Sequence, residues 1–110
     1  FRRACEESVP NEIEIEEYTH FGFTARIHAG ATKMPFVPVR TFAGSDLPKH
    51  NDAIKTVSDP YTDDETYVVP PLHPDVAIVR AQRADAEGNA HIWGITGEMR
   101  EAAYAADMSF

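Results

Sequence analysis

The chain has 110 residues, 43% of them hydrophobic, with 18 acidic against 10 basic side chains and a formal net charge of -8. Domains commonly run from about 50 to 250 residues, so this is material for one modest core, and an acidic balance disfavours nucleic acid and anionic membrane surfaces as partners. One cysteine, Cys5, excludes an internal disulfide, and the sequence carries no signal peptide or long apolar span, so the cytoplasm is the expected setting.

Residues 1–110 are expected to form a single fragment of a larger domain, because the chain opens at Phe1-Arg2-Arg3 without an initiator methionine and stops just after a helical pattern. From Glu12 to Glu16 charged and apolar residues alternate, which predicts a strand with one wet face. Between Tyr18 and Ala31 the spacing turns helical: Phe23, Ile27 and Ala31 stand four apart, Ala25 and Ala29 lie on the adjoining row, and Thr19 is placed to cap the N-terminus. Its small residues Gly22, Ala25, Ala29 and Gly30 would let this helix lie close against a sheet. Phe36-Val37-Pro38-Val39 predicts a short strand, with Pro38 where its missing N–H is not needed.

Residues 41–74 are rich in Gly, Ser, Asp and Pro and are expected to be a long, mostly irregular segment. Within it Ala53–Val57 reads as a short exposed strand or a helical turn, and Tyr67–Val69 as a further strand. The apolar run Val76-Ala77-Ile78-Val79 suits a strand covered on both faces. Gly88-Asn89 can adopt positive φ at little cost, so this strand is expected to reverse there and return through His91-Ile92-Trp93 as its paired partner. Gly97 to Ala106 is rich in helix formers, with acids in its first turn. The alternation of strands and helices predicts α/β architecture: an open, mostly parallel sheet with flanking helices. In such sheets ligands gather at the carboxyl ends of strands, which directs attention to Glu16, Glu17, Thr19 and His20.

The five histidines (His20, His28, His50, His73 and His91) form no His-x-x-x-His pair and no Cys-x-x-Cys motif exists, so no metal site is expected. His20 with a neighbouring Glu could act as an acid–base pair, or could be only a polar residue in a first helical turn. Neither dinucleotide nor triphosphate glycine loops occur. Arg26, Lys33 and Arg40 flank the helix and strand and could meet an anionic ligand or could be solvated surface charge, and Gly44-Ser45-Asp46 reads as a turn.

Two blocks carry a family resemblance. Glu16-Glu17-Tyr18-Thr19-His20-Phe21-Gly22-Phe23-Thr24-Ala25-Arg26-Ile27-His28-Ala29-Gly30-Ala31, continuing into Met34-Pro35-Phe36-Val37-Pro38-Val39-Arg40 and Gly44-Ser45-Asp46, resembles the middle of the A (alpha) subunit of family I coenzyme A transferases of the glutaconate type. Pro74-Asp75-Val76-Ala77-Ile78-Val79 with Ala84-Asp85-Ala86-Glu87-Gly88-Asn89 and Ile92-Trp93-Gly94 resembles a later strand, turn and strand of the same polypeptide.

The resemblance implies an incomplete coenzyme A transferase fold of the NagB/RpiA-like type. It also implies an activity: moving coenzyme A between an acyl-coenzyme A and a small carboxylic acid through an acyl-glutamyl anhydride and a glutamyl thioester. The coenzyme A thioester is then a substrate, and no permanently bound cofactor is implied. The nucleophilic Glu of the family belongs to a Ser-Glu-Asn-Gly-type motif on the B (beta) subunit, so a B subunit is the implied partner and this chain alone is expected to lack turnover. His20 and Glu17 are the candidate catalytic residues on the edge implied to face the cleft between subunits; Thr19, Arg26 and Arg40 are the candidate substrate-binding residues. Two other functions stay open: a coenzyme A thioester hydrolase on the same scaffold, and a non-catalytic assembly module.

Overall fold

A computed structural model describes residues 2–110. Its longest element is helix α2, His20–Thr32, which follows a short helix α1, Arg2–Glu7. Thr19 caps α2 in extended conformation (φ -63°, ψ 155°), its Oγ1 accepting a hydrogen bond from the Gly22 N–H at 3.0 Å. At the other end Lys33 takes the left-handed conformation, and its N–H closes the last turn on the Ala29 and Gly30 carbonyls. The buried face is Gly22, Ala25, Arg26, Ala29 and Gly30, joined by Ile27. Phe23, expected on the inner row, is 45% exposed. The small residues decide the face because they admit close neighbours: Gly22 abuts the Phe42 ring, and Gly30 lies against the Leu72 backbone and the Ala105 side chain.

After α2 the chain forms strand β1 (Val37–Pro38), helix α3 (Leu47–His50) and a hairpin of β2 (Lys55–Ser58) and β3 (Glu65–Val69). These strands make one antiparallel sheet in the order β1-β3-β2, with Pro38 opposite Val68 on an edge strand, as a residue without an N–H requires. Residues 41–74 are therefore more regular than expected: both predicted strand segments are present and pair with each other, register Thr56 to Tyr67. Phe42, fully buried, centres the core with Ala25, Val39, Ile54 and Val69, and meets Tyr67 edge to face at 6.2 Å. Burying a side chain of this size contributes roughly 1.5–3 kcal/mol.

Strand β4 (Val76–Ala77) pairs in parallel with β7 (Met108–Ser109), the segment that follows helix α4 (Met99–Ala105). The expected partner for β4 was the segment around His91, and this pairing does not form. Gly88 does turn with positive φ (89°), but the turn joins β5 (Arg83–Ala84) to β6 (Ala90–His91). Asp85 holds it, accepting from the Glu87 and Asn89 N–H groups and from Asn89 Nδ2 at 2.8–3.0 Å.

Two further expectations are corrected. Glu12–Glu16 is extended but belongs to no sheet, and Ile13 and Ile15 are exposed, because alternation makes a strand only where a partner edge is available. Among the described residues the architecture is mixed α/β with three small sheets, of which only β4–β7 is parallel, instead of one mostly parallel sheet. Correspondingly, Val76–Val79 is not covered on both faces: Ile78 is 88% exposed. The radius of gyration, 17.0 Å, exceeds the roughly 13 Å of a compact domain near this length, as an open arrangement of small sheets should. Among the described residues no helix is long and apolar enough to cross a membrane.

Candidate active site

The N-terminus of α2 gathers most of the residues singled out from the sequence. Thr19 Oγ1, besides capping the helix, lies 2.9 Å from Thr41 Oγ1, which brings the turn after Arg40 onto this edge. His20 occupies the first helical position with its side chain 88% exposed, and its Nε2 stands 3.6 Å from Glu98 Oε1 at the start of α4. Alongside runs a groove of about 410 Å³ walled by Phe21, Thr24 and His28 of α2 and by Glu98 and Glu101. The small-residue face of α2 is what lets α4 approach closely enough to place Glu98 there.

Glu17 is not brought to His20. Its side chain lines a separate hollow with Cys5, Leu47 and His50, while its carbonyl accepts a hydrogen bond from Asn51 Nδ2 at 2.8 Å. Asn51 is buried, and its Oδ1 also accepts from the Ala53 N–H, so it acts as a tie between the 12–17 segment and the turn before β2.

Arg26 is buried, and its side chain is held by contacts within the chain. Its Nε donates to the Pro70 carbonyl at 3.1 Å, a terminal nitrogen donates to Glu16 Oε2 at 3.0 Å, and its guanidinium lies 4.5 Å from the Tyr18 ring centre. The Tyr18 hydroxyl, and then Arg26, hold the Glu16 carboxyl below its ordinary range. A guanidinium suits this task because its planar fork serves several acceptors while stacking on a ring. Arg40 remains exposed. It walls a hollow of about 710 Å³ together with Asp59, Asp64 and Glu65, whose acidic lining opposes an anionic ligand.

The expected turn lies slightly earlier, over Thr41–Gly44, with Gly44 at φ 78° and Asp46 leading into α3. Among the described residues no three His, Cys, Asp or Glu side chains converge as a metal site. The neighbour of His20 that sequence reasoning missed is Glu98: nothing in spacing ties the two together, and its only local signal is as an acid at the start of the helical pattern from Gly97 to Ala106.

The profile of the coenzyme A transferase family matches residues 3–109. The chain belongs to that family. The A component of 3-oxoadipate coenzyme A transferase from Pseudomonas knackmussii is 45% identical over 105 residues, covering 96% of this chain and 37% of the relative. The IpdA component of the cholesterol ring-cleaving hydrolase from Rhodococcus jostii is 33% identical over 90 residues, covering 76% and 30%. Among solved structures, glutaconate coenzyme A transferase from Acidaminococcus fermentans superposes with a TM-score of 0.80 at 28% identity, over 86% of this chain and 35% of that one. The small sheets therefore assemble as part of a coenzyme A transferase fold, and the chain spans about a third of the length of these proteins.

Proposed function

We propose that this chain is part of the A (alpha) subunit of a coenzyme A transferase, which works with a B (beta) subunit to move coenzyme A from an acyl-coenzyme A to a small carboxylic acid. The observation that carries the reading is the 45% identity to the A component of a transferase over 96% of the chain. It includes the α2 N-terminus, where His20 stands exposed beside Glu98. The reaction needs an enzyme carboxylate as relay, because an acid becomes a useful acceptor of coenzyme A only through an anhydride. That carboxylate attacks the acyl thioester and expels the coenzyme A thiolate, which then attacks the enzyme carbonyl, releases the donor acid and leaves an enzyme thioester. The acceptor carboxylate attacks this thioester and expels the thiolate again, and the thiolate attacks the acceptor's acyl carbon, giving the new acyl-coenzyme A and freeing the enzyme carboxylate.

In this proposal the partner's Glu is the relay and His20 hydrogen-bonds the carboxylate entering or leaving. Thr19 keeps the helix end in place, and Thr41 ties the turn after Arg40 to it, while Arg40 itself walls the separate acidic hollow and is given no part in binding the acid. Glu17 acts only on the architecture around Asn51. The dicarboxylic acid of the Pseudomonas relative, 3-oxoadipate, is the first acceptor to try.

The Rhodococcus relative, part of a ring-cleaving hydrolase, favours a second reading in which water replaces the acceptor acid; on this chain's own scaffold we take that reading as hydrolysis of a coenzyme A thioester. The full-length subunits, combined and given an acyl-coenzyme A with and without 3-oxoadipate, separate the two. Transfer that requires the acid supports the transferase, release of free coenzyme A without acid supports the hydrolase, and neither activity leaves an assembly module. The transferase reading falls if the complex hydrolyses thioester at the same rate whether or not an acid is supplied.

A further inference from the structure

We propose that Glu98 is a positioning residue for His20, an inference that rests on the reading of His20 as the group that meets the substrate carboxylate. An imidazole 88% exposed at the first turn of a helix has several rotamers open to it on the picosecond to nanosecond scale. The polar group that faces it is the Glu98 carboxylate, 3.6 Å from Nε2, within ion-pair range and longer than a direct hydrogen bond. Such distances tighten when substrate closes a site.

Three features make Glu98 suited to this task. It stands at the N-cap position of α4, yet its side chain makes no cap hydrogen bond, so the carboxylate is not used by its own helix. Its backbone is fixed: Gly97 before it takes φ 52°, a conformation open chiefly to glycine, and its carbonyl accepts the Ala102 N–H at 2.8 Å. The helix carrying it is held against α2 by the contact of Gly30 with Ala105.

With Nε2 turned toward Glu98, the imidazole presents Nδ1 to whatever enters the cleft. Nδ1 donates to a carboxylate when the ring is charged and accepts when it is neutral. Glu101, Thr24 and His28 line the adjoining groove and complete the polar surroundings.

The test is kinetic, in the complex of full-length A and B chains. Glu98→Gln keeps the shape and removes the charge. It is expected to lower kcat about fivefold, the size of a well-aligned solvent-facing ion pair, with KM within about twofold and the melting temperature unchanged. Glu98→Asp is expected to recover at least half of the loss. The double variant His20→Asn/Glu98→Gln is expected to be no slower than His20→Asn alone, because Glu98 acts only through the imidazole. His73→Asn, an exposed histidine remote from this edge in sequence, serves as the control. Wild-type kcat in Glu98→Gln, losses that multiply in the double variant, or a loss accompanied by a lower melting temperature each overturn the positioning role and leave the transferase reading intact. An assembled wild-type complex with neither transfer nor hydrolysis overturns both.

Discussion

Replacing Arg26 by Met tests the clasp that holds the extended 14–18 segment against α2. Methionine keeps most of the aliphatic volume and removes the guanidinium, so the loss reports on polar contacts and not on a cavity. The bond to Glu16 is charge-assisted and would contribute about 1.5–3 kcal/mol if sheltered, but Glu16 remains 51% exposed, and water reduces the contribution to less than about 1 kcal/mol. Losing the Pro70 bond and leaving that carbonyl without its donor costs about 1–2 kcal/mol. The stack on Tyr18 adds about 0.5 kcal/mol. The expected destabilisation is about 2–3 kcal/mol at neutral pH, read from urea unfolding of the full-length protein, where the midpoint should fall with the slope unchanged.

The difference should also depend on pH. Tyr18 and Arg26 depress the folded-state value of Glu16 below its ordinary 4.5, so the stabilisation is fully present above that ordinary value and is lost as pH falls through the lower folded one. The gap between wild type and Arg26→Met should therefore be flat from pH 7 down to about 5 and narrow below 4.5. A variant within about 0.5 kcal/mol of wild type at pH 7, or a gap that widens in acid, would refute the assignment of Arg26 as a clasp.

The two buried glycines of α2 should differ when replaced by alanine. At Gly30 the new methyl meets the Leu72 backbone, which cannot rotate away, so a cost of about 3 kcal/mol or more is expected; at Gly22 it meets the far end of the Phe42 ring at 2.5 Å, and a smaller cost follows if the ring shifts. Equal thermal shifts for the two variants would contradict this reasoning. In the β5–β6 turn, Asn89, first through its side chain and then its backbone N–H, holds the Asp85 carboxyl below its ordinary 3.8. Asn89→Ala should raise it toward that value in a carboxyl NMR titration and speed amide exchange in the hairpin, with little effect on global stability because the turn is solvent-facing.

Local patterns were legible wherever the backbone's own needs dictate residue type. Thr19 as cap, α2 itself, the positive-φ turn at Gly88 and the edge position of Pro38 follow from hydrogen-bond satisfaction and steric freedom within a few residues. The family resemblance belongs to the same level, since it is read from ordered local blocks, and the match over residues 3–109 agrees with it. The small residues of α2 announced a close approach correctly, while the face they define displaced Phe23 to the surface.

What local patterns could not decide was partnership. An alternating stretch such as Glu12–Glu16 is a strand only if an edge lies beside it, and here Arg26 takes hold of its last residue and Asn51 of Glu17 just after it. Val76–Val79 reads as a strand, but its partner is Met108–Ser109 across α4, not the segment after the nearby turn. His20 was visible as a candidate, yet the carboxylate beside it comes from Glu98 on another helix, and Arg26 passed from candidate ligand contact to buried clasp. The physical reason is the same in each case. Caps, turns and helix periodicity are energies of neighbours along the chain, whereas strand pairing, ion pairing and burial are energies of neighbours in space, which exist only once the chain has brought distant residues together.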